Sequence, residues 1–294
     1  MSPTRKGLLH GVAAYGLWGI VAAYWQLLGH VDPVELIAHR ALWGLGAFLA
    51  LAAISGQLPA LLEAMKRPRT LAVMGLSAAL LAVNWAVFVW ATISGHLLDA
   101  SLGYFINPLV SIALGTLVLR ERLRRLQWVA IALAAAGVAL LTWRAGKVPW
   151  IALVLASTFG AYGLVRKTAK VEALVGSTIE TVLLVPAALA FILWHGGGQL
   201  THGDGQTIAL LVGTGVVTAI PLILFTSAAR LLPLSTVGFL QYLAPTGQFI
   251  LAVAAFGEPL AHDKLGAFAL IWLGLAAFSV DLWRAASPAR TSRT

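Results

Sequence analysis

The 294-residue chain contains no cysteine. That absence excludes disulfides, iron–sulfur clusters, thiolate zinc sites and cysteine nucleophiles together. Charge is the second scarcity. Asp, Glu, Lys and Arg occupy 11% of positions and hydrophobic residues 60%, whereas a soluble domain carries about 25% charged residues. With a mean hydropathy of +0.87, the chain has too little polar surface to cover itself in water. The composition is that of an integral membrane protein. No GxxxxGK[ST] loop occurs, so ATP hydrolysis by this chain is not the expected energy source, and no nucleophile elbow, HExxH or paired-carboxylate motif stands out. No cofactor is implied. The net charge is +9, yet no basic stretch interleaved with aromatics forms a polar domain that could meet a phosphate backbone, which argues against nucleic acid as a partner.

What the chain has in abundance is long apolar runs. A membrane-spanning helix needs about 20 mainly apolar residues, and ten such segments can be placed, at roughly 7–28, 34–55, 71–93, 98–119, 127–143, 149–166, 174–194, 207–229, 235–256 and 265–284. The first follows Arg5 and Lys6 but is too long for the core of a signal peptide, so it reads as an uncleaved helix. The longest connection, Gly56 to Thr70, leaves no room for a soluble catalytic domain. Lysine and arginine near span ends are retained on the cytoplasmic side. With the N-terminus inside, sixteen of the 20 basic residues fall on that side, Arg120, Arg122, Arg124, Arg125, Arg166, Lys167 and Lys170 among them, and only Arg144, Lys147 and Lys264 fall outside. This predicts ten spans with both termini cytoplasmic.

The fourth and fifth spans align without a gap on the ninth and tenth at an offset of 137: Pro108 on Pro245, Glu121 on Glu258, Ala130 on Ala267, Gly137 on Gly274. A looser match near 140 pairs Trp18-Gly19 with Phe159-Gly160 and Arg40 with Glu180. Because five spans is an odd number, the second copy enters the membrane from the opposite face. The expected fold is therefore all-α, with ten transmembrane helices forming two inverted five-helix repeats, residues 1–146 and 147–285, and a tail at 286–294. Inverted repeats are common in secondary transporters, with the substrate site near the midplane where the halves meet.

Three strings carry a family resemblance. They are Ala100 to Leu109 (ASLGYFINPL), Gly238 to Thr246 (GFLQYLAPT) and Glu35 to Trp43 (ELIAHRALW), joined by Tyr162 to Lys167 (YGLVRK). Together they resemble the RarD-type members of the EamA family, in the drug/metabolite transporter superfamily. The resemblance covers essentially the whole chain and implies a ten-helix inner-membrane permease built from two inverted repeats.

An ionisable side chain at mid-span costs about 2.5–3.5 kcal/mol on insertion scales, so each one needs a reason. Arg40 lies about 9 Å into the second span and Glu180 the same distance into the seventh, from opposite faces. In a hydrocarbon core of about 30 Å the two backbones then sit about 12 Å apart along the membrane normal, which argues against a direct resting salt bridge. Arg40 reads as an anchor for an anionic group, or as a side chain snorkelling outward. Glu180 and His39 read as coupling groups, with local capping and packing as the structural alternatives. Glu35 and His39 have ligand-pair spacing but no third ligand, and the cluster of His195, His202 and Asp204 lies in a glycine-rich connection, so no metal site is expected.

Pro108 and Pro245 each remove an amide donor and free the carbonyl four residues earlier, on Tyr104 and Gln241. Such a carbonyl survives in a membrane only beside protein, water or a cavity. The two kinks thus mark Tyr104, Asn107, Gln241 and Tyr242 as candidate lining of a central path, with helix bridging as the alternative. Asn84, whose amide needs partners in a dry span, and Trp85 and Tyr162, deep enough to stack on a ligand, complete the candidate substrate site. The leading reading is a secondary transporter moving a small metabolite or drug-like compound by alternating access, with proton coupling through Glu180 or His39. Its partners are then a small-molecule substrate and the lipid bilayer. A membrane-embedded enzyme and a non-transporting sensor are the alternatives.

Overall fold

The computed structural model describes residues 2–94, 96–145, 149–254 and 262–286. Among them it is all-helical: α1 (Pro3–Leu27), α2 (Pro33–Ile54), α3 (Leu58–Met65), α4 (Pro68–Ile93), α5 (Leu97–Leu117), α6 (Arg125–Ala145), α7 (Trp150–Thr168), α8 (Ala173–Trp194), α9 (Gln199–His202), α10 (Gly205–Leu231), α11 (Leu234–Gln241), α12 (Leu243–Ala254) and α13 (His262–Ala286). Apolar runs of this length become helices because every backbone amide must be satisfied within the segment where water is absent. Seven of them, α1, α2, α4, α6, α8, α10 and α13, are long and apolar enough to cross a membrane. The protein is therefore a multi-pass membrane protein. Glu258 and Lys147, which entered the repeat and charge arguments, lie outside the described residues.

Caps define several starts. Ser2 accepts from the Arg5 amide, Asp32 from those of Val34 and Glu35, and Asp204 from that of Thr207, with Pro3 and Pro33 supplying the preset φ of a first turn. The connection at 56–70 holds the short helix α3, whose buried Leu61 packs with Met74, Val175 and Ile179. The glycine-rich connection around 195–204 makes a hydrogen-bonded turn. Gly196, Gly197 and Gly198 all have positive φ, a region open to glycine without strain, and a side chain at Gly198 would collide with the Glu35 carboxylate. Glu35 accepts the Gln199 amide at 2.6 Å and so ties α9 to α2.

The long helices close a ring. Going round it, α1 packs on α10, α10 on α2, α2 on α8, α8 on α4, α4 on α7, α7 on α5, α5 on α11, and the α11/α12 pair returns to α1. Outside it, α6 and α13 pair with each other, touching the ring through α5 and through Trp272, whose indole donates to Thr246. Their close approach rests on two glycines. A Cβ on Gly137 would lie 2.7 Å from the carbonyl oxygen of Ala267, and one on Gly274 would lie 2.7 Å from that of Ala130. The single segment expected at 235–256 is interrupted at Tyr242, upstream of Pro245, giving α11 and α12, whereas α5 runs as one helix through Pro108.

Candidate functional site

Near the middle of the ring five aromatic side chains from α1, α7 and α10 meet. Trp18 lies 6.0 Å from Phe159 between ring centroids, and Phe225 contacts Tyr15, Trp18, Phe159 and Tyr162, stacking on the last at 5.7 Å. These rings bring α7 and α10 together across the ring of helices and close its centre. Two charged sites flank the plug.

On one side stands Arg40 of α2. Its guanidinium carbon lies 5.0 Å from the Trp25 ring and 5.1 Å from the Trp85 ring, and its Nε donates to Thr218 at 3.2 Å. Tyr104, 41% exposed, faces the same charge. Two indole faces attract a desolvated cation by about 0.5–2 kcal/mol each, which offsets part of the cost of holding Arg40 inside a span. Among the described residues Arg40 has no acidic partner. About 100° round α2 from Arg40, His39 is fully buried. Its Nδ1 accepts from the Trp43 indole at 3.2 Å, and because an indole only donates, the proton of the neutral ring sits on Nε2, facing Glu35 at 3.5 Å.

On the other side Glu180 of α8 pairs with Arg166 of α7. The Nη1 to Oε1 distance is 3.4 Å, the Tyr162 hydroxyl donates to Oε2 at 3.3 Å, and Ser77 of α4 faces the carboxylate. Arg166 also donates to the Ala173 carbonyl at 2.9 Å and abuts the Met74 sulfur. Both charges are buried. Arg40 and Glu180 therefore do not pair, in keeping with the depths read from the sequence. Arg166 corrects that reading: it was counted with the cytoplasmic basic residues, and it is instead the buried partner of Glu180. The signal was present, since Phe159, Tyr162 and Arg166 share one face at i, i+3 and i+7, but a run of three basic residues at a span end looked topogenic. Trp25 and Thr218 were also missed, because an indole or hydroxyl in a span has too many ordinary uses.

The other candidates are distributed between these two sites and the helix contacts. Asn84 spends its amide on the Leu155 carbonyl and the Thr158 hydroxyl, both at 2.9 Å, joining α4 to α7. Tyr162 is buried in the aromatic plug. Gln241 donates to Ser111 at 2.9 Å and faces Tyr15, Asn107 is buried, and the buried Tyr242 turns its hydroxyl to the Phe105 carbonyl at 3.4 Å. Of the predicted lining, only Arg40, Trp85 and Tyr104 come together at an accessible place. Trp85 also lines a cavity of about 390 Å³ between α2, α4 and α8, walled by Ile37, Ala41, Ala86, Leu184 and Phe191 among others. On α8 the cavity residues Leu184, Ala187, Ala188 and Phe191 continue the stripe that begins with Glu180, and because Ala187 on α8 and Ala86 and Trp90 on α4 are exposed, the cavity is open to the surroundings of the bundle.

At the end of the bundle where α1 starts, the helices are tied together. Glu121 accepts from the amides of Leu234 and Ser235 at 2.6 and 2.9 Å and from the Ser235 hydroxyl at 2.7 Å, capping α11. Arg124 Nε donates to Asp281 at 2.7 Å, and Lys167 donates to the Leu232 carbonyl at 2.5 Å at the end of α10. Among the described residues no group of three His, Asp or Glu side chains could hold a metal ion.

Comparison with known proteins agrees with this architecture. The model of the EamA-like transporter family matches residues 5–143. An uncharacterized transporter of Pseudomonas aeruginosa is 45% identical over 284 residues, covering 95% of each chain, and Protein RarD of Escherichia coli is 43% identical over 281 residues, again covering 95% of each. A solved protein structure superposes with a TM-score of 0.76 over 98% of this chain and all of the other at 22% identity, which shows a shared fold. Relatives this similar along nearly the full length leave one assignment: the chain belongs to the EamA-like family of membrane transporters, as a permease of RarD type.

Proposed function

We propose that the protein is a secondary transporter of ten membrane helices arranged as two inverted repeats, α1 to α6 and α7 to α13, spanning the inner membrane with both termini cytoplasmic. It moves a small metabolite or drug-like compound by alternating access. The observation that carries this reading is reciprocal packing. Gly137 against Ala267 and Gly274 against Ala130 are one contact written twice, exchanged by the 137-residue offset. The ring repeats the pattern: α1 on α10 matches α7 on α4, and α1 on α12 matches α7 on α5. Even the charged sites correspond. An offset of 140 sets Arg40 opposite Glu180, and one of 141 sets Trp25 opposite Arg166 and Ser77 opposite Thr218, which supports reading the Trp25–Arg40–Thr218 and Arg166–Glu180–Ser77 groups as counterparts in the two halves. A pseudo-twofold relation between halves is what permits an outward-open and an inward-open state of corresponding design.

In this reading the end where α1 starts faces the cytoplasm. The ties at Glu121, Arg124 and Lys167 join the helices on that side around a polar pocket of about 410 Å³, the aromatic plug closes the path beyond it, and the cavity beside Trp85 lies in the other half. The substrate site is Arg40, Trp85 and Tyr104, with Asn84, Asn107, Tyr162, Gln241 and Tyr242 on the helices that move, and Pro108 and Pro245 shape those helices. Glu180 is the coupling group: a proton on its carboxylate would release Arg166 and loosen α7 from α8. Flux into vesicles of purified protein, across imposed pH gradients and with protein levels matched, tests this. Glu180→Gln should abolish the pH dependence of flux. A wild-type pH profile in that variant would make Glu180 structural and move coupling to His39.

A further inference from the structure

Arg40 and Arg166 each approach an aromatic or acidic group within the helix bundle, and they differ in one respect. Arg166 is matched by Glu180, whereas Arg40 has no ion-pair partner among the described residues. Arg40 spends only its Nε, on Thr218, and its two Nη atoms have no hydrogen-bond partner among those residues. Trp25 and Trp85 hold the guanidinium between their rings and so fix where its open fork points. A planar fork of N–H donors held in this way fits a carboxylate through two parallel hydrogen bonds.

Trp85 joins that cation to the cavity between α2, α4 and α8. The same indole packs against Arg40 and lines the cavity, and Ile37 and Ala41, which flank Arg40 on α2, line it too. Every lining side chain is apolar or aromatic, and the volume of about 390 Å³ is near the lower end of small-ligand pockets. A neutral guest would leave the Arg40 fork unpaired, and a cation would be repelled. A guest with two negative charges would bury the second without a partner among apolar walls.

We infer that this site takes a compact monocarboxylate with an apolar, ring-bearing body, its carboxylate on Arg40 and its ring beside Trp85 in the α2, α4 and α8 cavity. This rests on the transporter reading and specifies its substrate class.

Calorimetric titration of the purified protein with four probes tests it: 3-phenylpropionate, its neutral amide, phenethylamine and palmitate. The acid should bind at least about 10-fold more tightly than the amide, the usual worth of a charge-assisted hydrogen bond, and the amine should not bind. Arg40→Gln should erase the preference for acid over amide, Arg40→Lys should restore part of it, and Trp85→Leu should weaken acid and amide alike. Equal binding of acid and amide by the wild-type protein, which needs no variant to fold, overturns the inference. So does a preference that survives in Arg40→Gln, binding of none of the probes, or palmitate binding as tightly as the compact acid, which would make the guest a membrane lipid. Uptake into vesicles separates the two levels. Arg40-dependent binding without any flux supports the site and removes the transporter reading, whereas flux of amide or amine in preference to acid keeps transport and overturns the substrate class.

Discussion

Arg166 Nη1 lies 3.4 Å from Glu180 Oε1, and neither side chain is more than 1% exposed. Removing one member of a buried pair strands the other charge and costs about 3–5 kcal/mol, while replacing both with apolar side chains is often neutral. Arg166→Gln should therefore lower the thermal unfolding temperature of the purified protein sharply, and Arg166→Met combined with Glu180→Leu should recover much of the loss. A double variant less stable than either single variant would mean the pair contributes more than its charges.

The contact of α6 with α13 is predicted to be equally intolerant at its two ends. Gly137→Ala and Gly274→Ala each press a methyl group against a backbone carbonyl and should destabilise by about 1–3 kcal/mol, the usual cost of overpacking. Gly46→Ala is the internal control, since nothing lies within 4 Å of that position. There the change should be neutral or stabilising by up to about 1 kcal/mol. Thermal unfolding of the three variants decides the point, and unequal losses at Gly137 and Gly274 would count against the reciprocal packing.

Glu121 serves two amides and a hydroxyl at the start of α11. Glu121→Ala leaves these donors unpaired and should cost about 1–3 kcal/mol, with Glu121→Gln losing less because one acceptor oxygen remains. If the tie also holds the closed end of the bundle, Glu121→Ala should increase labelling of a cysteine introduced at Thr236 by a water-soluble thiol reagent. This readout is clean because the chain has no cysteine of its own.

Asp204 caps α10, and the Thr207 amide, 2.6 Å away, holds its carboxyl below the usual carboxylate range. A group whose pKa is depressed by folding contributes fully above its unfolded value of about 3.9 and loses that contribution as pH falls toward the folded value. The stability advantage of the wild type over Asp204→Asn should thus be present at pH 6 and shrink progressively below about pH 4. An advantage that stays constant over this range, measured by thermal unfolding at each pH, would show that the carboxylate charge adds nothing to the cap.

Reporter fusions test the inverted arrangement directly. Fusions after Thr70, Arg125, Lys170 and the C-terminus should read cytoplasmic, and those near His96, Lys147, Gly197 and His262 external. A cytoplasmic reading at Gly197, in the connection ahead of α10, would break the inverted-repeat model.

The membrane class and the helical nature of the long apolar runs were legible in the amino-acid order, as was the similarity of one stretch of sequence to another. Hydropathy and register are local properties, carried by residues a few positions apart or by the register of one stretch on another. The sequence also marked Arg40 and Glu180, because a charge within an apolar run has few innocent explanations. Their partners were another matter. Thr218 is 178 positions from Arg40, and Arg166, only 14 from Glu180, looked like one more basic residue at a span end. Asn84, read as a ligand group, is committed to α7. A helix that is apolar on nearly every side carries little sign of which face meets protein and which meets lipid. Only the packing of the ring decided which arginine is neutralised by a carboxylate and which, among the described residues, is left without one.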